Sequence, residues 1–164
     1  MTTDLAAPSA IAGRLTALGI ALPEPAAPAG AYASFVRTGN LVFVAGQAPF
    51  LDGRCQVCGK LGREVAMEEG QRAARLCALN ILGHLRLACG GDLGRVRRVV
   101  SVRGFVNVAP GFTSIPEVID GASRLLVEVF GPERGRHART AIGAAELPSD
   151  VAVEVDAVFE VGGA

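Results

Sequence analysis

The fold is decided by residues 139–157, which have the sequence RTAIGAAELPSDVAVEVDA. Two alternating segments flank the turn-forming residues of Leu147–Asp150, and this pattern predicts a β-hairpin. In the register that pairs Glu146 with Val151, the charged and small side chains share one face and the apolar side chains share the other. The first face comprises Arg139, Gly143, Glu154 and Asp156. The sequence therefore predicts a charged surface backed by an apolar core.

Length and composition limit the role of that surface. The 164 residues suffice for one domain with a real core, and 50% of them are hydrophobic while only 20% are charged. This balance favours burial of part of the surface in a subunit interface. Sixteen basic and sixteen acidic side chains leave no net charge, which argues against nucleic acid as a partner. We expect a cytoplasmic protein without a membrane partner, because neither a membrane span of roughly twenty apolar residues nor a secretory signal is visible.

Periodicity divides the chain into an N-terminal extension and one domain. Residues 1–27 contain a helix, predicted over Ala10–Leu18 with Ser9 as its cap, and a proline-rich linker. Residues 28–164 show neither repeats nor a composition shift, so we expect a single domain. Its predicted elements are a hairpin over Ala33–Thr38 and Leu41–Gln47, a helix from Met67 to about Cys89, a strand over Val96–Val108, a helix over Ile115–Phe130 and the terminal hairpin. Two main helices on one face of a mixed sheet give an α+β fold whose other face is uncovered.

The four cysteines are expected to be structural or incidental thiols. Cys55 and Cys58 have the spacing of half a zinc site or of a redox pair, but no second pair of ligands lies at the required spacing. Cys77 and Cys89 fall within the long predicted helix, where a free cysteine packs as a small hydrophobic residue. No metal site is predicted.

Four short motifs stand in a consistent order along the chain. They are PAGA before Tyr32, VAGQAP at 44–49, ARTA at 138–141 followed by ELP at 146–148, and VEVDA at 153–157. Together they resemble the RidA family, also called the YjgF or L-PSP endoribonuclease-like family. The resemblance covers about residues 28–161, and the additional N-terminal helix indicates a longer, less characterised branch. It implies a chorismate-mutase-like fold, a homotrimer with ligand clefts between subunits, and hydrolysis of reactive enamines and imines to 2-keto acids and ammonia.

The chemistry of a 2-imino acid matches the candidate site residues. Its carboxylate needs a fixed cation, and the planar guanidinium of Arg139 can bind a carboxylate through two parallel hydrogen bonds. Its C=N carbon needs a placed water molecule, which Glu154 could orient or deprotonate if partial burial raises the pKa of this carboxylate. Backbone groups near Gly46 and Ala141 could fix the nitrogen end of the substrate, and Tyr32 could close the pocket. No metal or other cofactor is required, because the carbon is already electrophilic.

The same residues also have ordinary structural interpretations. Arg139 could pair with Asp156 on an exposed face, Glu154 could be a solvated strand residue, and Tyr32 could serve packing. His137, two residues before Arg139, could supplement the arginine or shuttle protons, although an exposed position at the sheet edge is favoured.

Two departures from the family pattern bear on activity. Thr140 and Ala141 stand where many members have Ser-Cys, and Asp120 stands where many have Asn. A negative charge at Asp120, near the expected substrate-binding cleft, would repel a carboxylate substrate.

Three functions remain open. The first is an enamine or imine deaminase, and the second is a non-catalytic trimer that binds small carboxylate metabolites through the same arginine. The third is an endoribonuclease, which needs a basic track for the RNA backbone. The candidates for such a track are Arg95, Arg97, Arg98 and Arg103. A strand spreads these side chains over both faces, so ribonuclease activity ranks last.

Overall fold

The computed structural model describes residues 10–162, and all elements below lie within that range. The helices are α1 (Ala10–Ala17), α2 (Met67–Ala88) and α3 (Ile115–Gly135). The strands are β1 (Phe35–Thr38), β2 (Leu41–Gln47), β3 (Phe50–Leu51), β4 (Arg54–Cys55), β5 (Val96–Asn107), β6 (Ala138–Ala144) and β7 (Val153–Val161). The cap predicted at Ser9 lies outside the described residues.

The predicted helices and the first hairpin are confirmed. The Glu69 carboxylate at the start of α2 accepts a hydrogen bond from the Ala66 N–H at 2.9 Å, which satisfies a free backbone donor at the helix end. The predicted end of α3 at Phe130 is followed by a break at Gly131, which has φ 79°, and one more turn completes the helix after the break. Gly39 between β1 and β2 also has positive φ, as the short Gly-Asn turn requires.

Five strands form one mixed sheet in the order β1-β2-β7-β5-β6. β7 is antiparallel to both β2 and β5, whereas β6 is parallel to β5. The α+β class with a mixed sheet is therefore confirmed. However, β5 separates β6 from β7, so the predicted terminal hairpin is wrong.

The connections along the chain explain the error. α3 joins β5 to β6 as a crossover, and such a connection places the two strands side by side and parallel. The turn after β6 exists, with Ser149 and Asp150 at positive φ, but its residues pair with the segment before α2 instead of closing a hairpin. The Gly59 N–H donates to the Asp150 carbonyl at 2.7 Å, and the Ala152 N–H donates to the Val57 carbonyl at 3.0 Å.

The inserted strand also changes which side chains share a face. Arg139 lies beside Val102, which is fully buried under the helices, so Arg139 points to the helix-covered face of the sheet. Glu154 and Asp156 point to the opposite face, because Val155 between them is buried. The prediction that Glu154 and Asp156 share one face of the sheet is right. The placement of Arg139 and Gly143 on that same face is wrong.

The core lies between the sheet and its two long helices. α2 and α3 pack against each other closely at Gly121, where a Cβ atom would lie 2.8 Å from the carbonyl carbon of Gln71. α1 packs on α3, since Ile11 is buried and the Arg14 Nη1 donates to the Val129 carbonyl at 3.3 Å. Among residues 10–162, none of the helices combines the length with the apolar character that a membrane span requires.

The face of the sheet opposite α2 and α3 is here called the open face. Its side chains include Val36, Phe43, Ile142, Glu154 and Asp156. The three apolar members expose 55%, 44% and 48% of their surface, in that order. An antiparallel or mixed sheet tolerates solvent on one face, but large apolar side chains there indicate a surface suited to association.

Candidate functional site

Arg139 lies in a cluster of polar side chains at the edge of the sheet. Asp120 and Ser123 are three residues apart on α3, so both project from one side of the helix towards the start of β6. The Arg139 Nη1 donates to the Asp120 Oδ1 at 2.7 Å and lies 3.2 Å from the Ser123 Oγ. The Arg139 side chain is 25% exposed and that of Asp120 is 35% exposed. These residues, together with His137, are called the edge cluster below.

His137 is half-buried and takes part in this cluster. Its Nε2 lies 3.0 Å from the Ser123 Oγ, and its Nδ1 lies 2.6 Å from the Gly135 carbonyl oxygen. Burial lowers the pKa of His137, and the nearby Arg139 charge lowers it further, while the hydrogen bond to Gly135 opposes the change. His137 therefore lies at the sheet edge, as expected from the sequence, but it is partly buried rather than exposed.

Asp120 has a different role from the one expected. Its carboxylate forms an ion pair with Arg139, and its Oδ2 lies 3.5 Å from the Arg124 Nη2. The negative charge thus fixes the arginine in place and partly neutralises it. The Arg139 Nε and Nη2 make no hydrogen bond to any of the residues 10–162, so these two donors remain available to a ligand.

Glu154 occupies the open face of the sheet. Burial raises the pKa of this carboxyl group, and the charge of Asp156 raises it further. Gly46 lies directly beside it, since a Cβ atom there would be 3.0 Å from the Glu154 Cδ and closer still to the Oε1. A larger side chain at position 46 would therefore clash with the Glu154 carboxylate, whereas the backbone contact with the nitrogen end of a substrate expected at Gly46 stays a prediction.

A concavity of about 310 Å³ lies on the open face, and Gly46, the neighbour of Glu154, is part of its lining. Its lining includes Ala33, Val36, Phe43, Gly46, Arg103 and Asp156. Arg103 and Asp156 form an ion pair in it: the Arg103 Nε donates to the Asp156 Oδ1 at 2.9 Å, and the Nη2 lies 2.8 Å from the Oδ2. Asp156, which the structural interpretation paired with Arg139, therefore pairs with Arg103 instead. Sequence reasoning missed this pair because it depends on the adjacency of β5 and β7.

Tyr32 and Ala141 are the remaining predicted site residues. Tyr32 is 53% exposed in the loop before β1, and its hydroxyl accepts a hydrogen bond from the Ala29 N–H at 3.3 Å. Ala141 lies beside Gly104 on the helix-covered face, two residues along β6 from Arg139. The structure therefore brings Arg139 together with Asp120, and Glu154 together with Gly46. It places those two pairs on opposite faces of the sheet within one chain.

Lys60, the only lysine in the sequence, organises a second polar network that sequence reasoning missed. Its Nζ donates to the Asn107 Oδ1 at 2.7 Å, lies 3.3 Å from the Glu146 Oε2, and also contacts the Ala145 carbonyl. Asn107 is fully buried at the end of β5, and its Nδ2 donates to the Asp150 Oδ1 at 3.0 Å. This network fixes the turn between β6 and β7.

The cysteines differ in state. A disulfide joins Cys55 to Cys58, so these two are not the separate thiols expected from the sequence. Cys77 and Cys89 are free and buried, in agreement with their predicted packing role. Within the described part of the chain, no group of three or more His, Cys, Asp or Glu side chains is arranged to hold a metal ion.

Comparison with known proteins identifies the class to which this fold and site belong. Residues 12–159 match the family described as "YjgF/chorismate mutase-like, putative endoribonuclease", and the chain belongs to that family. The resemblance to the RidA family stated from the sequence motifs is thereby confirmed.

Individual relatives cover nearly the whole chain. Protein TCP17 of Trypanosoma cruzi is 49% identical over 152 residues, which are 92% of this chain and 94% of that protein. The crystal structure of protein Atu1372 from Agrobacterium tumefaciens is 46% identical, with a TM-score of 0.85 and coverage of 92% of each chain. A protein from Shewanella oneidensis MR-1 with the same endoribonuclease description is 36% identical, with a TM-score of 0.88 over 92% of this chain and 99% of that one.

Proposed function

We propose that this protein hydrolyses small 2-imino acids to 2-keto acids and ammonia, with Arg139 as the residue that binds the substrate carboxylate. One observation carries the proposal. The guanidinium is held by Asp120 and Ser123 through Nη1 alone, while Nε and Nη2 have no hydrogen-bond partner among residues 10–162. A guanidinium presenting two adjacent donors from a fixed position suits a carboxylate, because both oxygens can be bound at once.

Glu154 is the proposed acid–base group of this reaction. Its raised pKa keeps the carboxyl group closer to the range in which it can both take up and release a proton. Water attacks the imine carbon as Glu154 accepts a proton from it, and Glu154 then passes this proton to the nitrogen to give the carbinolamine. When the carbinolamine collapses, its hydroxyl proton is transferred to the nitrogen in the same way, the C–N bond breaks, and ammonia leaves with the 2-keto acid formed. Gly46 leaves space for the carboxylate next to the backbone of β2.

Since Arg139 and Glu154 lie on opposite faces of the sheet, the proposed site needs more than one protomer. We propose a homotrimer in which the edge cluster of one protomer adjoins the open face of the next. The exposed Val36, Phe43 and Ile142 support this arrangement, because burying large apolar side chains of a sheet face favours association. Sedimentation equilibrium should give three times the chain mass of 16.8 kDa.

A second candidate is a binding protein for small carboxylates without catalytic activity. The separation of Arg139 and Glu154 on opposite faces of the sheet favours it, because binding a carboxylate through Arg139 needs no acid–base group nearby. Endoribonuclease activity ranks third. Of the four arginines considered for an RNA track, Arg103 is paired with Asp156 and Arg95 donates to the Cys89 carbonyl, which leaves a poor continuous track.

The deciding experiment generates an imino acid in place with an amino-acid oxidase and follows the release of the keto acid. Wild-type protein should accelerate release. In Arg139→Ala the acceleration should be at least roughly tenfold smaller, since the fixed carboxylate contact orients the substrate. Arg124→Ala is the matched control, because Arg124 also contacts Asp120 but is 65% exposed on the helix surface.

The same preparation distinguishes the two leading candidates. Acceleration by wild type and by Arg124→Ala, with loss in Arg139→Ala, supports the deaminase. No acceleration with several imino acids, together with a rise in Tm on adding 2-keto acids, supports the binding protein. If the protein neither accelerates keto-acid release nor shows a rise in Tm, both candidate functions are contradicted.

A further inference from the structure

Ser123 and His137 have the geometry of a nucleophile and its base. The Gly135 carbonyl oxygen can only accept a hydrogen bond, so the His137 Nδ1 at 2.6 Å carries the ring proton. In a neutral ring Nε2 is then an acceptor, and the Ser123 hydroxyl 3.0 Å away donates to it. The ring is thus oriented by one group and accepts from a hydroxyl at its other nitrogen, as nucleophilic catalysis requires.

Three further observations favour chemistry at this hydroxyl. The Arg139 Nη1 lies 3.2 Å from the Ser123 Oγ, so a positive charge adjoins the oxygen that would react. Burial and the Arg139 charge lower the pKa of His137, which keeps the ring neutral and able to take up a proton near neutral pH. The pair is not sealed in the core, since Ser123 and His137 are only partly buried and Arg139 is 25% exposed.

We propose that Ser123, activated by His137, is a nucleophile that cleaves small activated acyl compounds bearing a carboxylate. This inference does not depend on imine hydrolysis, although it uses the same Arg139 to bind the anionic end of the substrate. Gly135 orients the base through its carbonyl oxygen. Asp120 positions Arg139 beside the hydroxyl.

The reaction proceeds in two balanced halves. The Ser123 Oγ forms a bond to the acyl carbon while its proton passes to the His137 Nε2. The bond from the acyl carbon to the leaving group then breaks, and the leaving group takes that proton. In the second half, water attacks the acyl-serine, gives a proton to Nε2, and releases the carboxylic acid as Oγ regains the proton. Throughout both halves Arg139 holds the carboxylate of the substrate through Nε and Nη2, which keeps the acyl carbon positioned for attack.

Labelling with a fluorophosphonate tests the nucleophile directly. In this probe reaction the Ser123 Oγ forms a bond to phosphorus and fluoride leaves, so the modified peptide is identified by mass spectrometry. We expect labelling at Ser123 in the wild type and none in Ser123→Ala. Ser114→Ala is the matched control, because Ser114 precedes the same helix and its side chain makes no capping hydrogen bond.

The role of His137 is tested with His137→Gln, which keeps a polar side chain but removes the base. Labelling should slow by at least about 100-fold, the lower range of a general-base contribution. Hydrolysis of p-nitrophenyl acetate by the wild type should rise with pH and level off, with an apparent pKa below the ordinary histidine value of 6.5. A histidine that only supports the structure would not produce that pH profile.

The wild type alone can overturn the proposal. If folded wild-type protein, checked by its circular dichroism and thermal melt, shows no phosphonylated Ser123, then the hydroxyl is not a nucleophile. Labelling that proceeds equally fast in folded His137→Gln would also overturn it, because the base would be irrelevant. Loss of imine hydrolysis in Arg139→Ala with Ser123 labelling retained would separate this activity from the deaminase.

Discussion

Replacing Asp120 with asparagine tests how the edge cluster sets the affinity for an anion. Asparagine keeps an oxygen that can accept from the Arg139 Nη1, which lies 2.7 Å away, but it removes the negative charge. The arginine should therefore stay in place while the local potential becomes more positive. Under the proposed function, Asp120→Asn binds a 2-keto acid more tightly than the wild type does.

The magnitude follows from the separation of the two negative groups. A ligand carboxylate on Nε and Nη2 would lie on the order of 5–6 Å from the Asp120 carboxylate, so their repulsion is about 1–3 kcal/mol at effective dielectric constants of roughly 60–20. Asp120 is 35% exposed, and solvent screening favours the lower end of that range. We therefore expect an affinity increase of roughly 5- to 10-fold.

Isothermal titration calorimetry with 2-ketobutyrate measures this change. Glu117→Gln is the matched control, since it removes one acidic charge from the same helix, one turn earlier, at an exposed position. The control should bind within about twofold of the wild type. An Asp120→Asn variant that folds normally but binds the keto acid no better than the control would show that Arg139 does not hold the carboxylate.

Two further predictions concern packing and titration. Gly121→Ala should lower the free energy of unfolding by about 3 kcal/mol, because its Cβ would lie 2.8 Å from the Gln71 carbonyl carbon. Gly13→Ala is the control and should be neutral or slightly stabilising, because nothing lies within 4 Å of its Cβ. Urea denaturation measures both changes. For Glu154 the folded pKa lies above the ordinary value of 4.5, so the native state holds the extra proton and the free energy of unfolding falls as pH rises through that window. Glu154→Gln should therefore gain stability over the wild type between pH 4 and pH 7, and equal stability differences at both pH values would contradict the assignment.

The fold was predictable from sequence wherever the signal is local. Apolar periodicity gives α2 and α3, and Gly39-Asn40 gives the first hairpin. Strand pairing beyond a tight turn is not local. Alternation in 139–157 specifies which side chains of a strand share a face, but it carries no information about which strand lies next to it. β5 enters between β6 and β7 because the α3 crossover places β6 beside it.

The candidate site was predictable to the same extent. Arg139 and Glu154 are recognisable as chemistry-bearing residues among small or apolar neighbours, and Asp120 stands out against the family pattern. The contacts among them depend on the topology. Ser123 joins His137 and Arg139 across 14 and 16 residues of sequence, and Arg103 meets Asp156 across 53. The residue spacings that predict contacts within one helix or one hairpin are much shorter than these distances along the sequence.

The Asp120–Arg139 pair explains how a guanidinium can be kept ready for an anion at the sheet edge. A partly buried cation without a counterion is costly, and a carboxylate of the chain reduces that cost in the unliganded protein. Because Asp120 uses only Nη1, the proposed carboxylate ligand would bind Nε and Nη2 without displacing it. Asp120 would thus lower the affinity for the ligand by repulsion, but it would also keep Arg139 in a fixed orientation. Ser123, held by the same Nη1 and by His137, occupies the position next to where that ligand would lie.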